Sequence, residues 1–122
     1  MAGDAYSTIE RFWAIQDAGD YTQLAELFAP DAVLEDPIYG RFEGTDAIAG
    51  FFETMNAEMA ERRVSFRLVE LSGDDHTAWA RWQATIATRR GEIVRDGVGI
   101  YRVREGRLVY YRDYMDPPPS PT

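Results

Sequence analysis

The second half of the chain is a run of strand-like segments separated by short turns, and this run limits the possible folds most strongly. Segments rich in β-branched and aromatic residues span 64–71, 76–89, 92–104 and 108–115. The turn-forming sequences Ser72-Gly73-Asp74-Asp75 and Glu105-Gly106 lie between them. Consecutive strands with such short connections pair as antiparallel hairpins. We therefore predict one antiparallel sheet in this half of the chain.

The first half carries the periodicity of helices. A first helix is predicted from about Asp4 to Gly19, with Ile9, Phe12, Trp13 and Ile15 on one face. Asp20 is placed to cap a second helix that Pro30 stops, and Thr45 is placed to cap a third. A short strand at 32–37 and a turn at 40–44 are predicted between the last two helices.

Helices followed by a run of hairpin strands predict the α+β class. The chain has 122 residues, which suits one hydrophobic core, and we expect a single domain over residues 1–116. The proline-rich residues 117–122 are expected to form an extended tail outside that core.

Composition narrows the classes of function. The net charge of −8 without a basic cluster disfavours nucleic acid and anionic membranes as partners. No apolar run approaches the ~20 residues that cross a bilayer. The chain has no cysteine, which excludes disulfides and a catalytic thiol and fits a reducing, cytoplasmic setting. No spacing of histidine or carboxylate side chains suggests a metal site, and we expect no cofactor.

Three stretches of the sequence resemble one family. The first is Asp17-Ala18-Gly19-Asp20 followed by residues 27–32; the second is Val33-Leu34-Glu35-Asp36-Pro37 followed by residues 44–48. The third is Gly106-Arg107-Leu108 followed by residues 111–116. From about residue 6 to residue 116, the chain resembles the SnoaL-like group of the nuclear transport factor 2-like superfamily.

The resemblance implies a fold more strongly than a reaction. It implies a cone-shaped α+β barrel, in which three N-terminal helices pack on a strongly bent, mainly antiparallel sheet around a pocket. The superfamily includes isomerases, dehydratases, cyclases, hydrolases and proteins without catalysis, so the fold alone does not fix the function.

Asp36 is the first candidate catalytic residue. The resemblance to ketosteroid isomerases implies that it is a base that moves a proton beside a carbonyl, since poor solvation raises the basicity of a carboxylate. A turn aspartate that accepts backbone hydrogen bonds before Pro37 is an equally weighted alternative. The oxyanion donors of those isomerases are absent, because their positions match Phe12 and Gly99 here.

Asp113 and Arg81 form the second candidate constellation. The resemblance to limonene-epoxide hydrolases implies an arginine and an aspartate two residues apart on one strand, joined by an aspartate on the last strand. Arg81 and Asp113 match two of these positions, and Gln83 occupies the third, where an amide cannot release a proton. A structural ion pair between the two strands is the alternative.

Strand alternation predicts which residues line the pocket. We expect Arg81, Gln83 and Asp113 to share its concave side. The predicted substrate contacts are Gln83, Tyr111, Phe12, Trp13, Phe52, Met55, Trp79 and Tyr101. The other face of the same strand carries Trp82 among small apolar residues, and we expect it to form a homodimer interface.

The sequence thus predicts a cofactor-free acid–base enzyme of the epoxide hydrolase, isomerase or cyclase type. Its substrate would be a small hydrophobic molecule similar to a terpenoid, steroid or polyketide. Asp113, kept ionised by Arg81, would be the base, and Asp36 the more easily protonated acid. The alternatives are a binding module for a small hydrophobic ligand and a dimerisation module without a ligand.

Overall fold

The computed structural model describes residues 4–116, which form two α-helices, one 3₁₀ helix and six strands. Helix α1 is Asp4–Asp17, the 3₁₀ helix is Tyr21–Leu27 and helix α2 is Thr45–Arg62. The strands are β1 Phe28–Asp36, β2 Gly40–Glu43, β3 Val64–Gly73, β4 Thr77–Thr88, β5 Gly91–Arg104 and β6 Arg107–Met115. The predicted tail, 117–122, lies outside the described residues.

All six strands form one sheet in the order β2-β1-β6-β5-β4-β3. β1 runs parallel to β6, and the other neighbouring strands are antiparallel. Both α-helices pack on the sheet, α1 against β3 to β5 and α2 against β1 to β3. The predicted α+β fold, with helices on a curled and mainly antiparallel sheet, is confirmed. No described helix has the length and apolar content needed to span a bilayer.

The second predicted helix is a 3₁₀ helix instead of an α-helix. Its predicted cap is confirmed, since the Asp20 carboxylate accepts the Thr22 backbone N–H at 3.1 Å. The segment has seven residues, and Phe28 already belongs to β1. Short helical connectors between longer elements are commonly 3₁₀, and this one passes straight into a strand.

Two boundaries around β1 were predicted wrongly. β1 begins at Phe28 and passes through Pro30, which we expected to end a helix. The pairing of β1 with β6 shifts register between Phe28 and Val33, so the missing N–H of Pro30 falls where the ladder is interrupted. The predicted turn at 40–44 contains β2, an edge strand that pairs with β1 from Gly40 to Glu43.

The cap of α2 also differs from the prediction. Thr45 is the first residue of the helix, and Gly44 occupies the capping position with a φ of 88°. No side chain makes a capping hydrogen bond there. Glycine reaches positive φ without the steric cost that other residues have, so the chain can turn sharply from β2 into α2.

Candidate active site

The concave face of β4 is its small and aromatic face. Ala78, Ala80, Trp82 and Ala84 are buried against the helices, whereas Trp79 is 41% exposed on the opposite face. Our prediction of the pocket-facing side of β4 is therefore wrong, and so is the placement of Trp82 on the outer face. The reason is hydrophobic burial: the side of an alternating strand without charges is the side that the helices cover.

Arg81 and Gln83 consequently lie on the convex face, away from Asp113. The Arg81 guanidinium is 3.6 Å from the Asp96 carboxylate, and nearly half of the Arg81 side chain is exposed. Gln83 donates to Asp96 at 3.2 Å and accepts from Arg67 at 2.7 Å. The predicted Arg81–Asp113 pair is wrong, and the substrate contacts predicted for Gln83 and Trp79 are wrong with it. These side chains form an exposed polar network across β3, β4 and β5.

Asp113 does lie on the concave face, where two side-chain donors hold its carboxyl. The Trp82 indole Nε1–H donates to Oδ1 at 3.3 Å. The Tyr111 hydroxyl donates to Oδ2, as expected for residues two apart on one strand, which share a face. Asp113 is half-buried and lines two small cavities as well as a more open cleft of about 390 Å³ that Asp36 also lines. A residue missed by the sequence analysis, Trp82, thus takes the place beside Asp113 that we assigned to Arg81.

Burial gives the Asp113 carboxyl an unusual proton affinity. Desolvation raises the pKa of Asp113 from 3.8 to about 7, and the negative charge of Asp36 adds to the rise. The hydrogen bonds from Tyr111 and Trp82 oppose it in part, because they favour the charged form. We predicted that the Arg81 cation keeps Asp113 ionised, and this prediction is wrong. The raised pKa of Asp113 lies near neutral pH, where both protonation states are populated.

Two glycines on β5 make room for this arrangement. A Cβ at Gly97 would lie 2.2 Å from the Trp82 ring. A Cβ at Gly99 would lie 2.6 Å from the Tyr101 hydroxyl and 2.9 Å from Asp113 Oδ1. The ring and the carboxyl therefore pack directly on the backbone of β5. This packing explains why no side chain stands at Gly99, the position matched to a catalytic aspartate of the isomerases.

Packed aromatic rings of the core lie beside Asp113. The Tyr101 and Tyr111 rings stack with centroids 4.7 Å apart, and the Phe12 ring packs about equally close to both. The Trp13 indole donates to the Tyr101 hydroxyl at 3.3 Å. Burial raises the pKa of Tyr111 well above 10, so its hydroxyl remains a donor to Asp113. Phe12 and Tyr101, which we predicted as substrate contacts, belong to the core behind the site.

Asp36 combines the two roles that the sequence left open. Its Oδ2 accepts the backbone N–H groups of Ile38 and Tyr39, both at 2.9 Å, as a turn aspartate does. The same residue lines a cavity that Asp113 also lines. The turn between β1 and β2 therefore fixes Asp36 on the wall of the site. Both carboxyls named from the sequence are brought to one cavity by the fold.

The cavity is small and mainly apolar. Its volume is about 140 Å³, and its wall is formed by Asp36, Pro37, Ile38, Tyr39, Met55, Met59, Arg62, Val64, Phe66, Trp82, Ala84, Ile86, Arg95, Asp113 and Met115. An adjoining cleft of about 30 Å³ reaches Trp13, Phe52 and Tyr111. An engineered cavity of ~150 Å³ accepts benzene, so the enclosed space here suits one ring-sized group. It is smaller than the several hundred cubic ångströms that are usual for small-ligand sites.

Several wall residues were not predicted, namely Phe66, Trp82, Arg95 and Met115. Phe66 and Trp82 pack edge to face, with ring centroids 5.5 Å apart. Strand alternation contained the signal for them, because Phe66 pairs with Ala84 and Gly97 pairs with both Trp82 and Met115. Choosing the uncharged side of β4 as concave identifies the whole set.

Comparisons with known proteins agree with the fold. The family model for the SnoaL-like domain matches residues 9–111. The chain therefore belongs to the SnoaL-like family, as its sequence motifs indicated. An uncharacterised PhzA/B-like protein of Pseudomonas aeruginosa is 27% identical over 105 residues, which cover 81% of this chain and 74% of that protein.

Solved structures of similar proteins share the fold. An NTF2-like protein of unknown function from Mesorhizobium loti superposes with a TM-score of 0.76 at 24% identity, covering 93% of this chain and 92% of that one. The epoxide hydrolase/cyclase-like enzyme SalBIII, described in pyran ring formation in the polyether salinomycin, superposes with a TM-score of 0.72. The identity to SalBIII is 18%, with 90% of this chain and 88% of SalBIII covered. At such identities the likeness shows the architecture and not the reaction.

Proposed function

We propose that the protein is a cofactor-free acid–base enzyme whose substrate is a small, mainly apolar molecule. The reaction is the opening of an epoxide, an isomerisation or a cyclisation. Asp113 is the group that transfers the proton. One observation carries the proposal: a carboxyl with a pKa of about 7 lies on the wall of an apolar cavity. A proton-transfer group works best when its pKa lies near the operating pH.

Asp113 has the proton affinity that either direction of transfer requires. In its protonated form it can deliver a proton to an epoxide oxygen as the C–O bond breaks. In its ionised form it can remove a proton from a carbon beside a carbonyl and return it elsewhere on the same molecule. The donors Trp82 and Tyr111 fix the orientation of the carboxyl, so little reorganisation accompanies the transfer.

Asp36 is proposed as the second carboxyl of the reaction. Two backbone N–H groups hold one of its oxygens, which leaves the other to accept a proton from a water or a substrate hydroxyl. Its charge also contributes to the high pKa of Asp113. The roles are the reverse of the sequence-based prediction: Asp113 is the acid in epoxide opening, and Asp36 the base.

Substitution of the two carboxyls tests the proposal. We expect Asp113→Asn to lower turnover by about 10²–10⁴-fold, the usual contribution of acid–base catalysis. Asp36→Asn should have a smaller effect on isomerisation than on epoxide opening, because only the latter needs a second proton acceptor. The parent and variants are assayed on a panel of monocyclic epoxides, enones and an activated carbon acid.

Asp96→Asn is the matched control for these variants. Asp96 is also an aspartate of the sheet, but it lies on the convex face and pairs with Arg81. Its substitution should leave turnover unchanged. Turnover that survives unchanged in both Asp113→Asn and Asp36→Asn would refute catalysis by these carboxyls.

Ligand binding without catalysis is the second candidate, and one observation favours it. Both oxygens of Asp113 already accept hydrogen bonds from Trp82 and Tyr111, as they would in a purely structural buried carboxyl. This alternative predicts ligand-dependent increases in melting temperature with no product formed. It also predicts that Asp113→Asn leaves ligand affinity nearly unchanged.

A homodimer through the outer face of the sheet remains a proposal, with different residues. Trp82 is buried in the protomer, so it cannot form that interface. The convex face instead exposes Trp79, Val94 and Tyr114, which is an apolar set for a surface otherwise rich in arginine. Sedimentation at micromolar concentration should show a dimer that Trp79→Glu weakens. A monomeric parent protein under those conditions would contradict the proposal.

A further inference from the structure

The cavity that Asp113 lines has a cationic end. Arg95 projects from β5 onto the cavity wall, opposite Ala84 of β4 and on the same face of the sheet. Its Nε is buried and has no hydrogen-bond partner among the described residues. It forms no ion pair within residues 4–116. Buried guanidinium donors are nearly always paired, because an unpaired one loses its hydration without compensation.

A second arginine also lines this cavity. Arg62 belongs to the last turn of α2, is exposed, and also lines the cavity. Glu58, one helical turn earlier, accepts a hydrogen bond from the Tyr39 hydroxyl on the same wall. Because Glu58 lies one helical turn from Arg62 and offsets its charge, the half-buried Arg95 is the main cation of this wall.

The cationic end and Asp113 are separated along the sheet. Arg95 is four residues from Gly99, which pairs with Asp113, so their backbones lie about 13 Å apart along β5. Gly97 lies between them, and the Trp82 ring packs directly on it. No cation is among the causes of the raised pKa of Asp113. The site therefore has a cationic end, an apolar middle and a proton-transfer end.

We propose that the ligand of this site carries a carboxylate, which the Arg95 guanidinium binds while the apolar part lies along Trp82 toward Asp113. This inference deepens the proposed function by naming the substrate class, and it rests on that function only in treating the cavity as an active site. The guanidinium fork matches a carboxylate through two parallel N–H···O bonds. The net charge of −8 disfavours polyanions, so a monoanion fits better than a phosphate ester.

The binding test compares acids with their uncharged amides. Phenylacetate, phenylpropionate and phenylbutyrate each place a ring and a carboxylate at a different separation. We expect the parent protein to bind at least one acid about tenfold more tightly than its primary amide, measured by calorimetry. Arg95→Met should abolish that preference, and Arg95→Lys should retain part of it, because lysine keeps the charge but not the fork.

Arg81→Met is the control, since Arg81 is an arginine of the neighbouring strand on the opposite face. It should keep the full preference for the acid. Equal affinity for acids and amides in the parent protein would overturn the proposal, as would an equal loss of preference in Arg81→Met. Tighter binding of phenyl phosphate than of every carboxylate would also overturn it.

Binding and catalysis can fail separately in this design. Asp113→Asn should keep the preference for acids, because Asp113 lies at the other end of the cavity, while it removes turnover. Loss of turnover with the preference intact supports both proposals. A preserved preference in a protein that turns over no substrate supports the carboxylate site and contradicts only the catalytic role. Melting temperatures of the Arg95 variants are expected to equal or exceed that of the parent, which separates lost binding from lost folding.

Discussion

The Asp113→Asn variant is expected to be more stable than the parent protein at about pH 8, although it removes the proposed catalytic group. Burial raises the pKa of Asp113 to about 7, so the folded protein at this pH holds a poorly solvated negative charge. Asparagine is nearly isosteric and uncharged. It can still accept from the Trp82 indole and make a hydrogen bond with the Tyr111 hydroxyl. The substitution therefore removes a desolvation cost and keeps the packing.

The sign and size of this change in stability follow from the pKa values of Asp113 in the folded and the unfolded protein. Between about pH 4 and pH 7 the folded state holds a proton on Asp113 that the unfolded state has released, so stability falls as the pH rises through this range. Above about pH 7 this contribution to stability is fully lost and no longer changes with pH. Each pKa unit corresponds to about 1.4 kcal/mol, which sets an upper limit of about 4 kcal/mol. Because the carboxyl keeps some contact with the cavity space, we expect a gain of about 2 kcal/mol at pH 8.

Urea denaturation of parent and variant at about pH 5 and about pH 8 measures this difference. The advantage of Asp113→Asn should be small at the lower pH and large at the higher one. Asp96→Asn, on the exposed face, should show neither the gain nor the pH dependence. An Asp113→Asn variant that is less stable than the parent at both pH values would mean that the ionised carboxyl is well solvated or paired.

The Trp82→Ala variant is expected to lose about 3–5 kcal/mol of unfolding free energy. The Trp82 side chain is 4% exposed, packs on Gly97 and Phe66, and donates to Asp113. Its removal opens a large gap beneath the helices and leaves the Asp113 carboxyl with one donor fewer. Trp82→Phe should lose less, because it keeps most of the packing and loses only the indole N–H.

Trp79→Ala is the matched control, three residues earlier on the same strand. Trp79 lies on the convex face and is 41% exposed, so its loss should lower the unfolding free energy by only about 1–2 kcal/mol. The comparison is made by chemical denaturation in dilute protein, where self-association does not contribute. A larger loss for Trp79→Ala than for Trp82→Ala would show that the faces of β4 are assigned the wrong way round.

The sequence predicted the fold well because the fold rests on local signals. Hairpin turns and strand-forming segments placed β3 to β6 within about two residues of their observed ends. The errors lie where tertiary context decides. Pro30 sits inside β1 because the ladder with β6 is interrupted there, and β2 exists because β1 offers it an edge. Both features depend on pairing between strands, so a short stretch of sequence does not predict them.

The site was predicted only in part, and the errors on β4 have one origin. Strand alternation says which residues share a face, but not which face is concave. The resemblance to epoxide hydrolases favoured the side with Arg81 and Gln83, whereas the burial of apolar surface selects the side with Trp82. The choice of Asp113 did not depend on this, because it came from β6. Gly97 and Gly99 leave the space in which Trp82 and Asp113 pack on the backbone of β5. Their role could not be predicted from the sequence, because it depends on which residues pair across the strands.

Direct titration of the Asp113 carboxyl tests the central claim. The chemical shift of its carboxyl carbon is followed by NMR against pH in labelled protein, and the resonance is assigned by its absence in Asp113→Asn. We predict a midpoint near pH 7, well above the ordinary value of 3.8. A midpoint close to that ordinary value would contradict the account, because Asp113 would then be an ordinary hydrated carboxylate with no reason to exchange protons at neutral pH.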